Sequence, residues 1–84
     1  MPNEAVEERM LGEVEVEAER YFLRETPIEH YRVVRKSDGR QVGSFRGSPN
    51  SMWLLEPEVI ELDLLRAVVE SALVEGLLID APTD

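Results

Sequence analysis

Residues 31–46 have the sequence YRVVRKSDGRQVGSFR and contain the strongest local structural signal in the chain. Asp38-Gly39 lies between two valine-containing runs, a pattern that predicts a β-hairpin. A three-residue loop that ends at Gly39, with this glycine in the left-handed conformation, fits the spacing. We therefore predict antiparallel strands at residues 29–36 and 40–46.

The register of this hairpin follows from how it sorts the side chains. A three-residue loop places Tyr31 opposite Phe45 and Val34 opposite Val42, whereas a two-residue turn would mix charged and aromatic side chains on both faces. We therefore predict the three-residue register. It collects four cations into a candidate basic face that consists of Arg32, Lys36, Arg40 and Arg46.

Residues 13–24 fit two secondary structures. As a strand they place four glutamates, at positions 13, 15, 17 and 19, on one face, and on the other, core-facing side they place Val14, Val16, Ala18 and Phe22. As part of a helix over residues 3–24 they show an apolar stripe, but Gly12 would then cost about 1 kcal/mol inside the helix. We predict the strand, paired with the next one so that Phe22 lies opposite Tyr31, and keep the helix as the alternative.

The C-terminal part of the sequence predicts a helix over residues 57–75. Pro57 suits the first helical position, and Gly76 is a typical stop after the last turn. Eleven of the 17 residues from Val59 to Glu75 are apolar, more than one small sheet is expected to cover. We therefore predict that this helix binds a partner or a second copy of the chain. The predicted apolar binding face consists of Ile60, Leu64, Leu65, Val68, Val69 and Leu73.

Together these elements predict an α+β fold in one small domain over residues 1–84. A short N-terminal helix precedes a three- to four-stranded antiparallel meander, and the long C-terminal helix packs on one sheet face. If residues 3–24 are helical instead, the element order becomes α-β-β-α. The predicted ranges are 3–11 for the first helix, 13–24, 29–36 and 40–46 for the strands, 52–55 for a possible fourth strand, and 80–84 for a polar tail.

The order of helix, three strands and helix resembles the double-stranded-RNA-binding topology. That family has lysines at the start of its last helix, where they hold phosphate. This chain has Glu56, Glu58 and Glu61 there. The resemblance therefore implies a similar element order without the residues that bind RNA.

The net charge of −9 is unevenly distributed along the sequence. Residues 1–29 carry a net −6, residues 30–50 a net +4, and residues 51–84 a net −7. The overall charge disfavours a general binder of nucleic acid or anionic membranes, because its field repels phosphate. Two alternatives stay open. The basic hairpin at residues 31–46 could bind nucleic acid, or the glutamates could imitate phosphate and inhibit a DNA-binding protein.

Residues that commonly carry chemistry are few. The chain has no cysteine and a single histidine, His30, so it cannot form a thiolate zinc site or a cysteine–histidine pair. Glutamates in a row along a strand do not converge as calcium ligands do. We therefore predict no enzymatic activity, no catalytic residue, no metal and no cofactor.

The same sequence predicts a small acidic protein that acts in protein–protein interaction, as a regulatory or adaptor protein. The expected partners are a second copy, in a homodimer, or another protein, with nucleic acid unlikely and no membrane. The sequence has no uninterrupted apolar run of spanning length and no basic, then apolar, leader at its start. We therefore expect a cytoplasmic location.

Overall fold

A computed structural model describes residues 8–26, 30–47 and 52–78 of the chain. Within these ranges the chain forms five strands and one helix, which confirms the predicted α+β class. Each strand pairs antiparallel with the next in sequence, so the sheet is a meander. The elements are β1 (Arg9–Val16), β2 (Glu19–Thr26), β3 (His30–Arg35), β4 (Gln41–Gly47), β5 (Trp53–Pro57) and α1 (Leu62–Val74).

The β3–β4 hairpin largely follows the prediction. Gly39 adopts a left-handed φ of 71°. Farther from the turn, Tyr31 lies opposite Phe45, as the three-residue register requires. The aromatic pair therefore confirms both the hairpin and the alignment of its two strands away from the loop.

Next to this turn, the predicted pairing of Val34 with Val42 is wrong. Val34 lies opposite Gln41 instead, and the register shifts within the hairpin. The cause is a longer loop, because the N–H of Arg35 donates to the carbonyl of Arg40 at 2.9 Å, so that Arg35 lies opposite Arg40 where the three-residue loop had placed Lys36. The shift leaves Val42 as an extra residue in β4, completely buried in the core.

The single strand predicted over residues 13–24 is wrong, because the chain turns near its centre. Glu17 and Ala18 form a two-residue loop between Val16 and Glu19, which lie opposite each other. Both loop residues have a positive φ, 54° and 67° respectively, as in the type I′ turns common in such hairpins. These turns usually contain Asn or Gly, so Glu-Ala carries no turn signal in the sequence.

This turn determines which side chains of β2 face the core. Tyr21 and Leu23 are buried there, in place of the predicted Phe22. Phe22 lies opposite Val34 and not opposite Tyr31, so the predicted pairing of β2 with β3 is also wrong. Side chains alternate along a strand, and an unrecognised turn therefore assigns the wrong set of residues to each face.

The N-terminal helix predicted over residues 3–11 is wrong where the structure describes it, because residues 9–11 belong to β1. The alternative helix over residues 3–24 fails equally, since β1 and β2 occupy most of that range. Residues 1–7 and the tail predicted over 80–84 lie outside the described residues. With strands from residue 9 onward, the element order within the described ranges no longer resembles the double-stranded-RNA-binding topology.

The C-terminal part of the chain divides between strand and helix differently from the prediction. The expected fourth strand is β5, which continues to Pro57, and the helix begins at Leu62 rather than at residue 57. The N–H of Glu58 donates to the carbonyl of Val42 at 3.0 Å and keeps this segment against the sheet. Gly76, with a φ of 81°, follows the last helical turn as predicted.

The core lies between α1 and one face of the sheet. The backbone of α1 lies closest to the two edge strands, β1 and β5, and its buried side chains also pack on the central strands. Gly43 permits a close approach, since a Cβ at this position would lie 3.3 Å from both Cδ atoms of Leu65. The sheet face away from α1 is called the outer face below. The buried core residues are Val14, Val16, Tyr21, Leu23, Val33, Val42, Phe45, Leu65, Val68, Val69, Ala72 and Leu78.

Candidate functional site

The predicted apolar face of the helix is divided between the core and the surface. Three of its residues are buried against the sheet of the same chain, namely Leu65, Val68 and Val69. The others are half-buried and pack against that core, namely Ile60, Leu64 and Leu73. The sheet has five strands instead of three or four, and it therefore covers more of the helix than the sequence led us to expect.

A groove remains open between β5 and α1. Its volume is about 440 Å³, within the usual range for ligand sites in proteins. One wall is the edge strand β5 and the other is the exposed side of α1. The apolar lining consists of Trp53, Leu54, Leu55, Leu62, Val69 and Leu73, and the polar lining of Arg66 and Glu70.

Two leucines that line this groove are exposed to solvent. Leu54 is 39% exposed and Leu62 is 45% exposed, and Met52, directly before β5, is 54% exposed. None of these three residues belongs to the apolar binding face predicted from the sequence. The adjacent leucines at positions 54 and 55 could have indicated the site, because neighbouring residues in a strand face opposite sides and one of the two must leave the core.

Trp53 completes an aromatic cluster at this edge of the sheet. Tyr31 stacks on Phe45 with their ring centroids 5.1 Å apart, and Trp53 packs edge-on against Phe45 at 5.4 Å. Such stacked and edge-on contacts hold the rings in fixed orientations. The indole Nε1 of Trp53 is buried and has no hydrogen-bond acceptor among the described residues. The groove thus has a well-packed aromatic wall.

Among the described residues, no strand pairs with the second edge of β5, which therefore carries backbone groups without a neighbouring strand. In an antiparallel ladder, hydrogen-bonded and non-hydrogen-bonded residues alternate. The N–H of Glu58 donates to Val42, so the even-numbered residues of β5 bond to β4. The odd-numbered residues, Trp53 and Leu55, therefore direct their N–H and C=O groups away from β4, and Pro57 at the strand end offers only a carbonyl.

One end of the predicted basic face is occupied by contacts within the chain. Arg32 donates to the side-chain oxygen of Gln41 at 2.7 Å and forms an ion pair with Glu8. Burial raises the pKa of Glu8, but hydrogen bonds from Arg24 and Arg32 outweigh this effect and lower it below its ordinary value. Arg40 is exposed, and its side chain forms no ion pair within the described parts of the chain.

The other two predicted cations also lie near carboxylates. Lys36 Nζ is 3.4 Å from a carboxylate oxygen of Glu13, and Arg46 Nε is 4.0 Å from one of Glu56. The hydrogen bond from Arg20 is the largest cause that lowers the pKa of Glu13, and Lys36 contributes to the same shift. Three of the four cations predicted for the basic face thus have acidic neighbours.

The glutamates considered as a phosphate mimic do not form one row. Glu13 and Glu15 are on β1, Glu17 is in the turn, and Glu19 begins β2. Arg20 donates hydrogen bonds to the carboxylates of both Glu13 and Glu15, and its distance to the Glu15 carboxylate is 2.8 Å. The turn therefore separates the glutamates, and an arginine partly neutralises the pair that stays together.

Charge divides the described chain into two parts. Residues 8–26 and 30–47 carry eight cations and seven carboxylates, a net charge of +1, whereas residues 52–78 carry one cation and six carboxylates, a net charge of −5. Among these six carboxylates, that of Glu56 alone has an ion-pair partner within the described ranges. The groove therefore lies in the acidic part of the molecule.

The remaining residues considered for catalysis or metal binding do not come together in a site within the described residues. His30 is half-buried at the start of β3, and its Nε2 is buried without a partner among the described residues. In those residues, no three His, Asp or Glu side chains are grouped in a way that could hold a metal ion. The described helix is too short and too polar to cross a membrane.

Comparison with known proteins adds no relationship. No family model matches the chain, and no curated protein or solved structure is significantly similar to it. The features of this chain that bear on function are therefore the geometry of the groove and the distribution of charge.

Proposed function

We propose that this chain is a non-enzymatic protein-interaction module, of the regulatory or adaptor type, that binds its partner through the groove between β5 and α1. The observation that carries the proposal is the coincidence of exposed leucines, a fixed tryptophan and an open strand edge at one place. Centres of protein interfaces are enriched in aromatic and apolar side chains. Trp53, Leu54 and Leu62 give the groove this composition.

Nucleic-acid binding through the basic hairpin has less support. Arg32, Lys36 and Arg46 have carboxylates of the same chain beside them, and phosphate would have to compete with these partners. Most affinity for nucleic acid comes from cations that are free to neutralise phosphate. We therefore assign the interaction to the groove rather than to the outer face.

The homodimer predicted from the helix needs a different contact surface. Leu65, Val68 and Val69 are buried in the core, and moving them into an interface would leave cavities that cost several kcal/mol. The exposed apolar side chains of α1 are Leu62, beside the groove, and Val74, at the end of the helix. We therefore assign any contact with a second copy to the groove as well.

Site-specific photo-crosslinking tests this proposal. A photoreactive benzophenone residue is introduced in place of Leu62 in the groove, and separately in place of Val74, which is 85% exposed and lies in the same helix outside the groove lining. After irradiation in the cells that produce the protein, we expect a discrete protein adduct from position 62 and none from position 74.

Two outcomes would contradict the proposal. Equal adducts from both positions, or none from either, would show that the groove is not a preferred contact surface. A low-salt titration with duplex DNA and RNA provides the second test. We expect no binding, and salt-sensitive binding that is lost when Arg32 and Arg40 are changed to Ser would favour the basic hairpin instead.

A further inference from the structure

We propose that β5 accepts an antiparallel strand from a partner protein, and that this strand is a basic segment with apolar side chains at alternate positions. The inference rests on the proposed function, which assigns the binding surface. It adds the mode of binding and the chemistry of the occupant.

The backbone of β5 provides the first part of the argument. Trp53 and Leu55 direct N–H and C=O groups to the open edge, in the spacing that a further antiparallel strand would match. Addition of a strand to an open sheet edge is a common way for proteins to bind extended segments. In this mode the main chain provides affinity, and pockets for alternate side chains provide specificity.

The contrast with the other edge of the sheet provides the second part. Edge strands are usually protected from unwanted pairing by charges, bulges or proline. The opposite edge strand, β1, has a register irregularity between Met10 and Gly12 and three charged side chains. β5 contains one charged residue, Glu56, with a regular register, and its single proline is at the strand end. The edge beside the groove is therefore the unprotected one.

The groove determines which side chains the added strand needs. A strand laid beside β5 alternates its side chains between the two faces of the sheet. Every second side chain would lie on the same side as Trp53 and Leu55, in the apolar groove against Leu62. The intervening side chains would lie on the outer face, next to Glu56.

Charge complementarity determines the polarity of the occupant. Residues 52–78 carry a net charge of −5, with Glu56 on the strand edge and with Glu70 and the single cation, Arg66, in the lining of the groove. A second copy would bring the same negative charge to the same place and be repelled. A segment with Lys or Arg between its apolar residues would be attracted, so we assign the site to a partner protein and not to a second copy.

Synthetic peptides test the inference directly. The probe is an eight-residue peptide of alternating lysine and valine. One control peptide alternates glutamate and valine. The other is the lysine peptide with proline in place of two successive valines. Trp53 is the single tryptophan, so its fluorescence reports occupation of the groove. We expect saturable binding of the lysine peptide, and at least tenfold weaker binding of both controls.

Amide hydrogen exchange distinguishes strand addition from other binding in the groove. The N–H groups of Trp53 and Leu55 face the open edge and should exchange more slowly when the lysine peptide is bound. Those of Leu54 and Glu56 already bond to β4 and should change little. Equal protection of all four amides, or of none, would overturn strand addition.

Two matched variants test the location. Leu54→Lys adds a positive charge to an exposed position of β5, and Met10→Lys does the same on β1, where Met10 is 45% exposed. We expect Leu54→Lys to weaken binding of the lysine peptide about tenfold, because Leu54 alternates with Trp53 and Leu55 and the new charge would lie on the outer face beside the lysine side chains of the peptide. Met10→Lys should leave binding unchanged, and equal effects of both variants would overturn the assignment to β5.

The outcomes for the function and for the inference can be told apart. Crosslinking from position 62 without binding of the lysine peptide would retain the interaction module and reject the basic strand. Equal binding of the glutamate peptide would reject the charge argument. A dimer in sedimentation that Leu54→Lys dissociates would reject a partner protein in favour of a second copy.

Discussion

The outer face of β1–β4 and the groove of β5–α1 differ in whether their charged side chains have partners of opposite charge in the same chain. On the outer face, Glu13 and Glu15 bond to Arg20, and Glu8 bonds to two arginines. Residues 52–78, which form both walls of the groove, contain six carboxylates and a single cation, and Leu54 and Leu62 are exposed there. The first half of the molecule thus has nearly equal numbers of opposite charges that pair with one another, whereas the second half has an excess of carboxylates.

This difference shows why net charge alone is a poor guide to function. Individual surface ion pairs contribute little to stability. Several of them together can nevertheless make a charged surface less able to bind a ligand of opposite charge. The hairpin that is most basic in sequence is largely neutralised in the fold, whereas the helix, which is rich in apolar residues, keeps an acidic, partly apolar side open.

The largest effect is expected from the two sides of α1. Leu65 is completely buried, whereas Leu62 is 45% exposed in the same helix. Leu65→Ala should lower the free energy of unfolding by about 2–5 kcal/mol, because the substitution removes most of a buried side chain and leaves a cavity in the core. Leu62→Ala should lower it by about 0.5 kcal/mol or less. Urea denaturation followed by circular dichroism measures both.

The comparison of the two leucines also checks the division itself. If both variants lost the same stability, α1 would not have separate core and groove sides, and the open groove would have to be abandoned. Because the fold of Leu62→Ala should be intact, binding measured with this variant separates loss of a groove contact from loss of stability.

A smaller effect is expected in the turns that build the ion-paired half. Ala18 has a φ of 67°, a region that costs a non-glycine residue about 1–2 kcal/mol. Ala18→Gly should therefore raise the free energy of unfolding by about 1 kcal/mol, after allowing for the greater flexibility of glycine in the unfolded chain. Thermal and urea denaturation measure the change.

Gly39 provides the opposite substitution in the other hairpin. Its φ is 71°, and no atom lies within 4 Å of where a Cβ would be, so Gly39→Ala tests backbone strain without a clash. We expect a loss of about 1 kcal/mol. A stabilising effect there, or a destabilising effect of Ala18→Gly, would contradict the positive φ values of these turns.

The smallest effect concerns acid pH in the β3–β4 turn. The Arg35 guanidinium, at 2.7 Å, and then the N–H of Arg40 lower the pKa of Asp38 to about 2, from an ordinary value of 3.8. A carboxyl whose pKa is lower in the folded state stabilises the fold above its unfolded pKa and loses this contribution as the pH falls through its folded pKa. Asp38 should therefore stabilise the hairpin above about pH 4 and cease to do so by about pH 2.

The variant Asp38→Asn isolates this effect. Its stability should fall less than that of the unsubstituted chain between pH 5 and pH 2, because its side chain does not titrate. Urea denaturation at the two pH values provides the comparison. Parallel losses in both proteins would show that the contact with Arg35 is not populated in solution.

The parts of the fold that the sequence predicted well are those with local signals. Asp38-Gly39 identified one hairpin, and Gly76 identified the end of the helix. The Glu17-Ala18 turn was missed because neither residue is typical of positive φ. Because this turn was missed, the prediction placed Phe22 in the core instead of Tyr21 and treated β1 and β2 as one strand.

The candidate site was harder to predict than the fold. An apolar excess in the helix was visible in the sequence, but not which leucines would be left outside the core. That depended on the number of strands and on the approach of both edge strands to α1. Leu62 and Leu54 line the groove because β5 is the last strand of the sheet within the described residues, and no local pattern specifies which strand will be the last.

Turn residues, capping residues and composition were sufficient to predict the α+β class, the β3–β4 hairpin, the end of α1 and the total charge, because these signals act over a few residues. The identity of the core residues, the neutralised carboxylates and the open strand edge became known only from the fold. Burial, ion pairing and edge exposure depend on contacts between residues far apart in the chain. The groove between β5 and α1 exists only in the assembled sheet.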